Sequence, residues 1–277
     1  MNGEKERIAR QFNRLASEYD QVAVAQRRMA HRIMQILEDK EVEPKEILEI
    51  GCGTGYLTQL LTERYPEARF TVVDIADRMV AVARERTGRA RDIQFVVEDV
   101  EEWSWRPDQF DLVVSNAVLH WFSQPAASLR GMGAALKPGG FFIGSTFGPD
   151  TFQELGEIHR DLERTESLLL PWEHATLVNP GEWEGFLRSA GMVASSQVCW
   201  HRIDYPNSYH FLQAIRRMGV CYEVNSDHDV GIEPKLASEV MRRYDRAYRN
   251  RDGGIYATYQ LIQVFGHKPE AVGADSE

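Results

Sequence analysis

The sequence predicts an α/β fold, a seven-stranded and largely parallel sheet with helices on both faces and a helical lid insertion. Three observations point there. An apolar run, Ile47-Leu48-Glu49-Ile50, ends in alternate glycines, Gly51, Gly53 and Gly55, before a helix is expected to start near Tyr56. A second apolar run, Phe70-Thr71-Val72-Val73, ends in the acid Asp74. Strand-like and helix-like segments then alternate through five units, and two further strands follow near the C-terminus, one of them at an antiparallel edge.

The elements follow in order. Ile8, Phe12, Leu15, Ala16 and Tyr19 recur at helical spacing, as do Ala25, Met29, Ile33, Ile36 and Leu37, so two amphipathic helices precede the first strand. Residues 1–46 are expected to cap the ligand site, with Tyr19 and Asp20 between the two helices. Ile93–Val97 reads as the third strand and Phe110–Ser115 as the fourth, with Asn116 at its end. Leu136-Lys137-Pro138-Gly139-Gly140 reads as a turn, and Phe141 starts the fifth strand, closing a core over 47–148. Residues 149–179 carry Phe152, Leu155, Ile158 and Leu162 and then Leu168–Trp172; this is too long for a plain connection and is assigned as a separate helical lid. Asn179-Pro180-Gly181-Glu182 opens a helix that Gly191 stops. Val193–Arg202 is the sixth strand, 207–219 and 233–250 are helices, and Tyr256–Phe265 is the last strand. Residues 180–268 thus complete the core, and 269–277 read as a disordered tail.

The glycine segment is where the backbone must turn sharply and approach a ligand closely. A dinucleotide fingerprint would place its third glycine one position later. No Lys or Arg follows closely to neutralise phosphate, and Glu49 would repel one. A ligand with a cationic amino-acid end suits Glu49 better, and an acid at the tip of the second strand accepts ribose hydroxyls. S-adenosylmethionine has both features and no phosphate. Its expected contacts are Tyr19, Glu49, Gly51, Gly53, Gly55, Asp74, Ile75, Met79, Asp99, Val100 and Asn116. Asp99 and Val100 would take the adenine. A solvated loop acid is the plainer reading of Asp99, and a turn-former that of Asn116. Cys52 is read as a small packing residue.

The pattern E-x-G-x-G-x-G followed by an acid resembles the class I S-adenosylmethionine-dependent methyltransferases, with their Rossmann-like seven-stranded sheet. Two flanking stretches are more specific. Phe12-Asn13-Arg14-Leu15-Ala16-Ser17-Glu18-Tyr19-Asp20, with Gln26 after it, and Gly144-Ser145-Thr146-Phe147-Gly148-Pro149-Asp150-Thr151-Phe152 are similar to the malonyl-[acyl-carrier protein] O-methyltransferases of biotin synthesis. Asn116–Trp121 and Ala257–Gln260 also resemble that family. His120 stands where Gln is frequent, and Val220-Cys221-Tyr222 departs from the family pattern. The resemblance implies methylation of the free malonyl carboxylate on a carrier protein, releasing S-adenosylhomocysteine. Tyr19, His120, Trp121 and Arg216 are the candidates for orienting that carboxylate. An acidic carrier needs a basic patch. Residues 235–251 hold six basic side chains against two acids, so Arg242, Arg243 and Arg246, extended by Arg217, are the candidate docking residues.

Composition narrows the classes. A net charge of −10 argues against a nucleic-acid binder. Three distant cysteines make neither a disulfide framework nor a metal pattern, and a reducing cytoplasm fits them. No apolar run approaches a membrane span. No metal is expected, and a monomer is. Two rival functions remain: methylation of a small free acid resembling trans-aconitate, which needs several arginines in the pocket, and a non-catalytic S-adenosylmethionine-binding regulatory partner.

Overall fold

The computed structural model describes residues 3–88, 92–166, 177–218 and 234–270. Helices α1 (Gly3–Leu15), α2 (Tyr19–Val22) and α3 (Val24–Asp39) precede β1 (Glu46–Ile50), α4 (Tyr56–Arg64), β2 (Arg69–Asp74), α5 (Asp77–Thr87) and β3 (Ile93–Val97). Then come β4 (Phe110–Asn116), α6 (Pro125–Ala135), β5 (Leu136–Phe147), α7 (Gln153–Glu166), α8 (Pro180–Ser189) and β6 (Val193–Tyr205). Helices α9 (Ser208–Met218) and α10 (Pro234–Ala247) lead to β7 (Ile255–His267).

Among the described residues the strands form one seven-stranded sheet in the order β3-β2-β1-β4-β5-β7-β6. The pairs from β3 through β5 are parallel, with Ile50 beside Val73 and Ser115. Strand β7 runs against β5: Gly139 N donates to Lys268 O and, further along β5, Gly148 N donates to Gln260 O. Ile47, Leu48 and Ile50 are at most 1 % exposed, which is why β1 reads as an unbroken apolar run. The strand order reverses beside β1, and the carboxyl ends of β1, β2 and β4 meet there, the usual place for a ligand crevice in an open α/β sheet.

The chain divides into two compact units. One holds 1–146, 179–198 and 262–277; the other holds 147–178 and 199–261. Of the stretch 149–179, the described residues 149–166, 177 and 178 cluster with 199–261. Its stripe needed a partner within its own unit: Phe152 packs against Phe211 and Tyr259, with ring centroids 5.1 and 4.8 Å apart. The expected Leu168–Trp172 segment, Val220-Cys221-Tyr222 and the tail from 271 onward lie outside the described residues.

Local chemistry sets the boundaries. Asn179 and Glu182 form a reciprocal capping box at α8. The N-terminus of α5 is capped from another helix: Asn13 Oδ1 accepts from Arg78 N at 3.0 Å while its Nδ2 donates to Asp77 Oδ1 at 2.6 Å. This fixes α1 onto α5. The expected turn at 136–140 is instead the start of β5. Phe110 pairs with Leu136 and Leu112 with Phe141, so β5 bulges by three residues there. Gly139 and Gly140 complete the bulge by bonding the backbone of Lys268.

Candidate functional site

A cleft of the first unit opens where those strand ends converge, with an empty volume of ≈ 1010 Å³, its open mouth included. Its floor is the turn after β1. Gly51 and Gly55 adopt φ of +70° and +78°, the left-handed region that disfavours a side chain. A Cβ at Gly55 would also lie 2.8 Å from Ala83, and one at Gly51 would collide with Val118 on the cleft wall.

Asp74, at the end of β2, holds this turn from the side. Its Oδ2 accepts from Gly53 N at 2.8 Å and its Oδ1 from Ala76 N at 2.9 Å. Burial raises its pKa, and these backbone N–H groups pull back in the other direction. Glu49 faces the same cleft at 1 % exposure. Its Oε2 has no hydrogen-bond partner. Burial, opposed by the Thr58 hydroxyl and helped by the neighbouring Asp74 charge, pushes its pKa up to about 8. A buried, underbonded carboxylate of this kind is a receptor for a cation or a hydrogen-bond donor. Burial likewise raises the Cys52 thiol, whose Sγ makes a weak contact with Gly53 O at 3.5 Å, as suits a packing residue.

The structure brings Tyr19, Asp74, Ile75, Met79, Asp99, Val100 and Asn116 to the cleft along with Glu49, Gly51 and Gly53. Gly55 stands behind the turn against α5. Several of these residues already have structural bonds. Asp99 Oδ1 accepts from Glu101 N at 3.1 Å, capping a 3-10 turn at Val100–Glu102. Asn116 Nδ2 donates to Gln26 O at 3.1 Å, and its Oδ1 accepts from Ser145 Oγ at 2.6 Å. Tyr19 starts α2, and burial with the charges of Asp74 and Asp20 holds its hydroxyl protonated.

Trp121 reaches the cleft wall, edge-on to Phe12 at 5.6 Å. His120 is not on that wall. Its Nδ1 meets Thr146 Oγ1 at 3.2 Å, and burial brings its pKa down to about 4, so the ring is neutral at pH 7. Arg216 and Arg217 stand in α9, and their side chains fall outside the described residues. In the other unit Arg242 pairs with Glu239, while Arg243 bridges Glu239 and, at 2.6 Å, Asp161. Arg246 is exposed.

Sequence reasoning missed four polar contributors. Lys5, 6 % exposed, lines the cleft, bonds Trp121 O at 2.8 Å and pairs with Glu101 at 2.5 Å. Burial opposes ionisation of Glu101, but Lys5 and the N–H groups of Ser123 and Gln124 outweigh it and lower its pKa. Arg86 pairs with Asp20 and donates to Thr54 Oγ1 at 3.1 Å, and that hydroxyl donates to Asp20 Oδ1 at 2.6 Å. This ring ties α2 to the glycine turn. Gln26 and Arg27 complete the set. Gln26 had a signal, since it belongs to the stretch on which the family resemblance rests; Lys5 and Arg86 lie far from any motif.

A family model described as a methyltransferase domain matches residues 47–140. A malonyl-[acyl-carrier protein] O-methyltransferase of Paenibacillus sp. (strain JDR-2) is 34 % identical over 96 % of this chain and 99 % of its own length. One of the same name from Priestia megaterium is 40 % identical over 93 % and 96 %. Among solved structures, the YcgJ protein of Bacillus subtilis superposes with a TM-score of 0.60 at 19 % identity, covering 87 % of this chain and 99 % of that one. The N-methyltransferase NodS of Bradyrhizobium japonicum, solved with S-adenosylhomocysteine, gives 0.50 at 17 %, covering 88 % and 87 %. These two likenesses speak for the fold.

Proposed function

The chain belongs to the family of malonyl-[acyl-carrier protein] O-methyltransferases, and on that premise we propose that it methylates the free carboxylate of a malonyl unit borne by an acyl-carrier protein. S-adenosylmethionine is the donor, and the methyl ester serves as a primer toward the pimeloyl unit of biotin. The observation that carries the reading is the buried, underbonded Glu49 set beside a glycine turn that Asp74 braces, with no phosphate anchor following the glycines.

The residues present fit such a donor. Asp74 has acceptor capacity left for ribose hydroxyls after its two backbone bonds. Asp99, Val100, Ile75 and Met79 line the same cleft, and on this reading they would take the adenine. Glu49 is available to an ammonium. When bound, the donor supplies an electrophilic methyl on a positively charged sulfur.

The acceptor needs no base. A carboxylate has a pKa near ~4 and is ionised at neutral pH. The chain's task is to hold the two groups in line and keep water out, and proximity of that kind supplies roughly 7–11 kcal/mol. Trp121, Phe12 and Phe122 give the cleft an apolar wall suited to that. Tyr19, as a protonated hydroxyl on the cleft, is the better placed of the orienting candidates. His120 acts through packing beside Trp121, with ring centroids 5.2 Å apart.

Mass spectrometry of malonyl-carrier protein after incubation with methyl-labelled donor tests the proposal. One labelled methyl on the acyl group is expected. Transfer to a free tricarboxylic acid, with none to the malonyl thioester, would overturn it in favour of a small-acid methyltransferase. Donor binding without transfer to any acceptor would favour a regulatory partner.

A further inference from the structure

Lys5 stands near the start of α1, yet it is buried and lines the cleft beside Ile8 and Phe12 of the same helix. Its Nζ pairs with Glu101 at 2.5 Å and donates to Trp121 O at 2.8 Å. The two side chains of the pair are 7 % and 13 % exposed. Taking two charges out of water offsets most of their attraction, so a pair this buried is weak evidence of a stabilising role. Another reason for it has to be sought.

The other partners of Glu101 supply one. Its Oε2 accepts from Ser123 N at 2.9 Å, and its Oε1 accepts from Gln124 N at 2.8 Å and from Ser128 Oγ at 3.2 Å. Lys5 thus holds the segment after β4 by the carbonyl of residue 121, and Glu101 holds it by the N–H groups of 123 and 124. Trp121 and Phe122 line the cleft at this clamp. The Trp121 ring also stands edge-on to Phe12, 5.6 Å away. At its other end α1 is fixed to α5 through Asn13. The cation therefore reaches the segment from a helix that is itself anchored.

Glu101 also argues against the simplest role for a buried cation, which is to receive the carboxylate of the acceptor. The ammonium already has a carboxylate against it, and a neutral pair attracts a second anion weakly. What the pair offers is placement.

We infer that Lys5 is a positioning residue for methyl transfer: with Glu101 it fixes the aromatic wall of Trp121 and Phe122, against which the malonyl end of the acceptor is aligned with the donor. The inference rests on the malonyl-carrier reading and adds to it a residue that acts through others. Alignment has a steep effect, since a displacement of about 1 Å costs about 100-fold in rate. Loss of the clamp should therefore appear in kcat.

Steady-state kinetics with malonyl-carrier protein, beside calorimetric titration with S-adenosylhomocysteine, test this on the full chain. Lys5→Met keeps an unbranched stem and removes the charge. It is expected to lower kcat by about 10- to 100-fold, while KM for malonyl-carrier protein and S-adenosylhomocysteine affinity stay within about threefold. Lys5→Arg keeps a cation with several donors and should restore kcat to within about fivefold of wild type. A raised KM at unchanged kcat would make Lys5 an acceptor-binding residue and overturn the inference. An unmoved kcat would overturn it too, as would S-adenosylhomocysteine affinity falling as far as kcat, the mark of a general disturbance of the cleft. A wild type that transfers no methyl to malonyl-carrier protein would overturn the acceptor reading, and the inference with it. Lys5→Met alone leaves the Glu101 carboxylate without its cation. If that variant does not fold, Lys5→Met combined with Glu101→Gln carries the same comparison with neither charge present.

Discussion

The two units treat buried polar groups differently. Among the described residues of the unit built from 147–178 and 199–261, they have partners. Glu154 accepts from both the N–H and the hydroxyl of Thr258, the Tyr205 and Tyr259 hydroxyls meet at 2.6 Å, and Tyr244 donates to Tyr256 O. In the unit that holds the glycine turn, saturation fails. Among the described residues, all seven buried side-chain nitrogen or oxygen atoms without a partner belong to it. Two of them, on Gln26 and Glu49, face the cleft. Fully bonded networks make a rigid, specified interior. Unbonded acceptors around a cavity mark free energy that the fold has left for a ligand to recover.

The largest effect expected from this contrast is at Asp74. Asp74→Ala removes the acceptor for Gly53 N and Ala76 N as well as the proposed ribose contact. At about 1.5–3 kcal/mol per bond to a charged group, S-adenosylhomocysteine affinity should fall by about 100-fold or more, with a lowered melting temperature. Asp74→Asn keeps one acceptor and should lie between. Calorimetry showing unchanged affinity in Asp74→Ala would remove the floor of the cleft from the argument.

Glu49 sharpens the contrast because its two roles oppose each other. Its folded pKa, about 8, lies above the ordinary 4.5. The folded protein therefore binds more protons than the unfolded one between those values, and stability falls as pH rises from 4.5 to 8. Glu49→Gln removes that loss. The ligand-free variant should melt higher than wild type at pH 8, by an amount on the order of a few kcal/mol, and equal to it near pH 4. S-adenosylhomocysteine binding should move the other way. Wild-type affinity should rise with pH toward about 8 as the carboxylate ionises, and the variant should be about 10-fold or more weaker with a flat profile. A variant less stable than wild type at pH 8 would mean that the Thr58 hydroxyl holds the Glu49 carboxylate more strongly than burial opposes it.

How much of this was legible follows from the range of the interactions. The glycine turn, Asp74 and Asp99 could be read because local backbone demands and strand-end placement set them, and both act over a few residues. The capping box at Asn179 and the helical stripe at Phe152 were legible for the same reason. Lys5, Arg27 and Arg86 were not, since a charged side chain in an amphipathic pattern reads as solvated until tertiary contact brings it a partner such as Glu101 or Asp20. The bulge at Lys137–Gly140 looked like a turn because its bonding partner, Lys268, is distant in the chain. What Phe152 packs on, Phe211 and Tyr259, could not be read from its own periodicity.

A smaller effect is expected at Arg86. The ring it forms with Asp20 and Thr54 crosses from α5 to α2 and the glycine turn, at 22 % exposure for Arg86 and 36 % for Asp20. Ion pairs this exposed contribute little to stability, about 1 kcal/mol or less. Arg86→Ala should therefore leave the melting temperature within a few degrees of wild type. Because the ring joins two parts of the cleft wall, stopped-flow release of S-adenosylhomocysteine should quicken by about 5- to 10-fold. Unchanged release would make the ring a fold contact only.

The smallest effect is expected in the saturated unit, and it concerns the carrier alone. Arg242 and Arg243 are already opposed by Glu239, whose carboxyl they pull down to about 2, and Arg243 by Asp161 as well. Two of the four candidate docking arginines thus present less charge than the sequence implies, while Arg246, like Arg242, is exposed. Surface charges at an encounter face act on association rate and salt sensitivity more than on the bound state. Reversing Arg246 alone to Glu should raise the Michaelis constant for malonyl-carrier protein by about 2- to 5-fold at low salt, and the difference should shrink as salt is added. Adding Arg242→Glu and Arg243→Glu should increase the effect, since Glu239 and Asp161 would then stand unopposed. The constant for a malonyl thioester without the carrier should not move, nor should S-adenosylhomocysteine affinity. An equal rise for both thioesters would tie the arginines to the fold of their own unit and leave the docking face to be sought elsewhere.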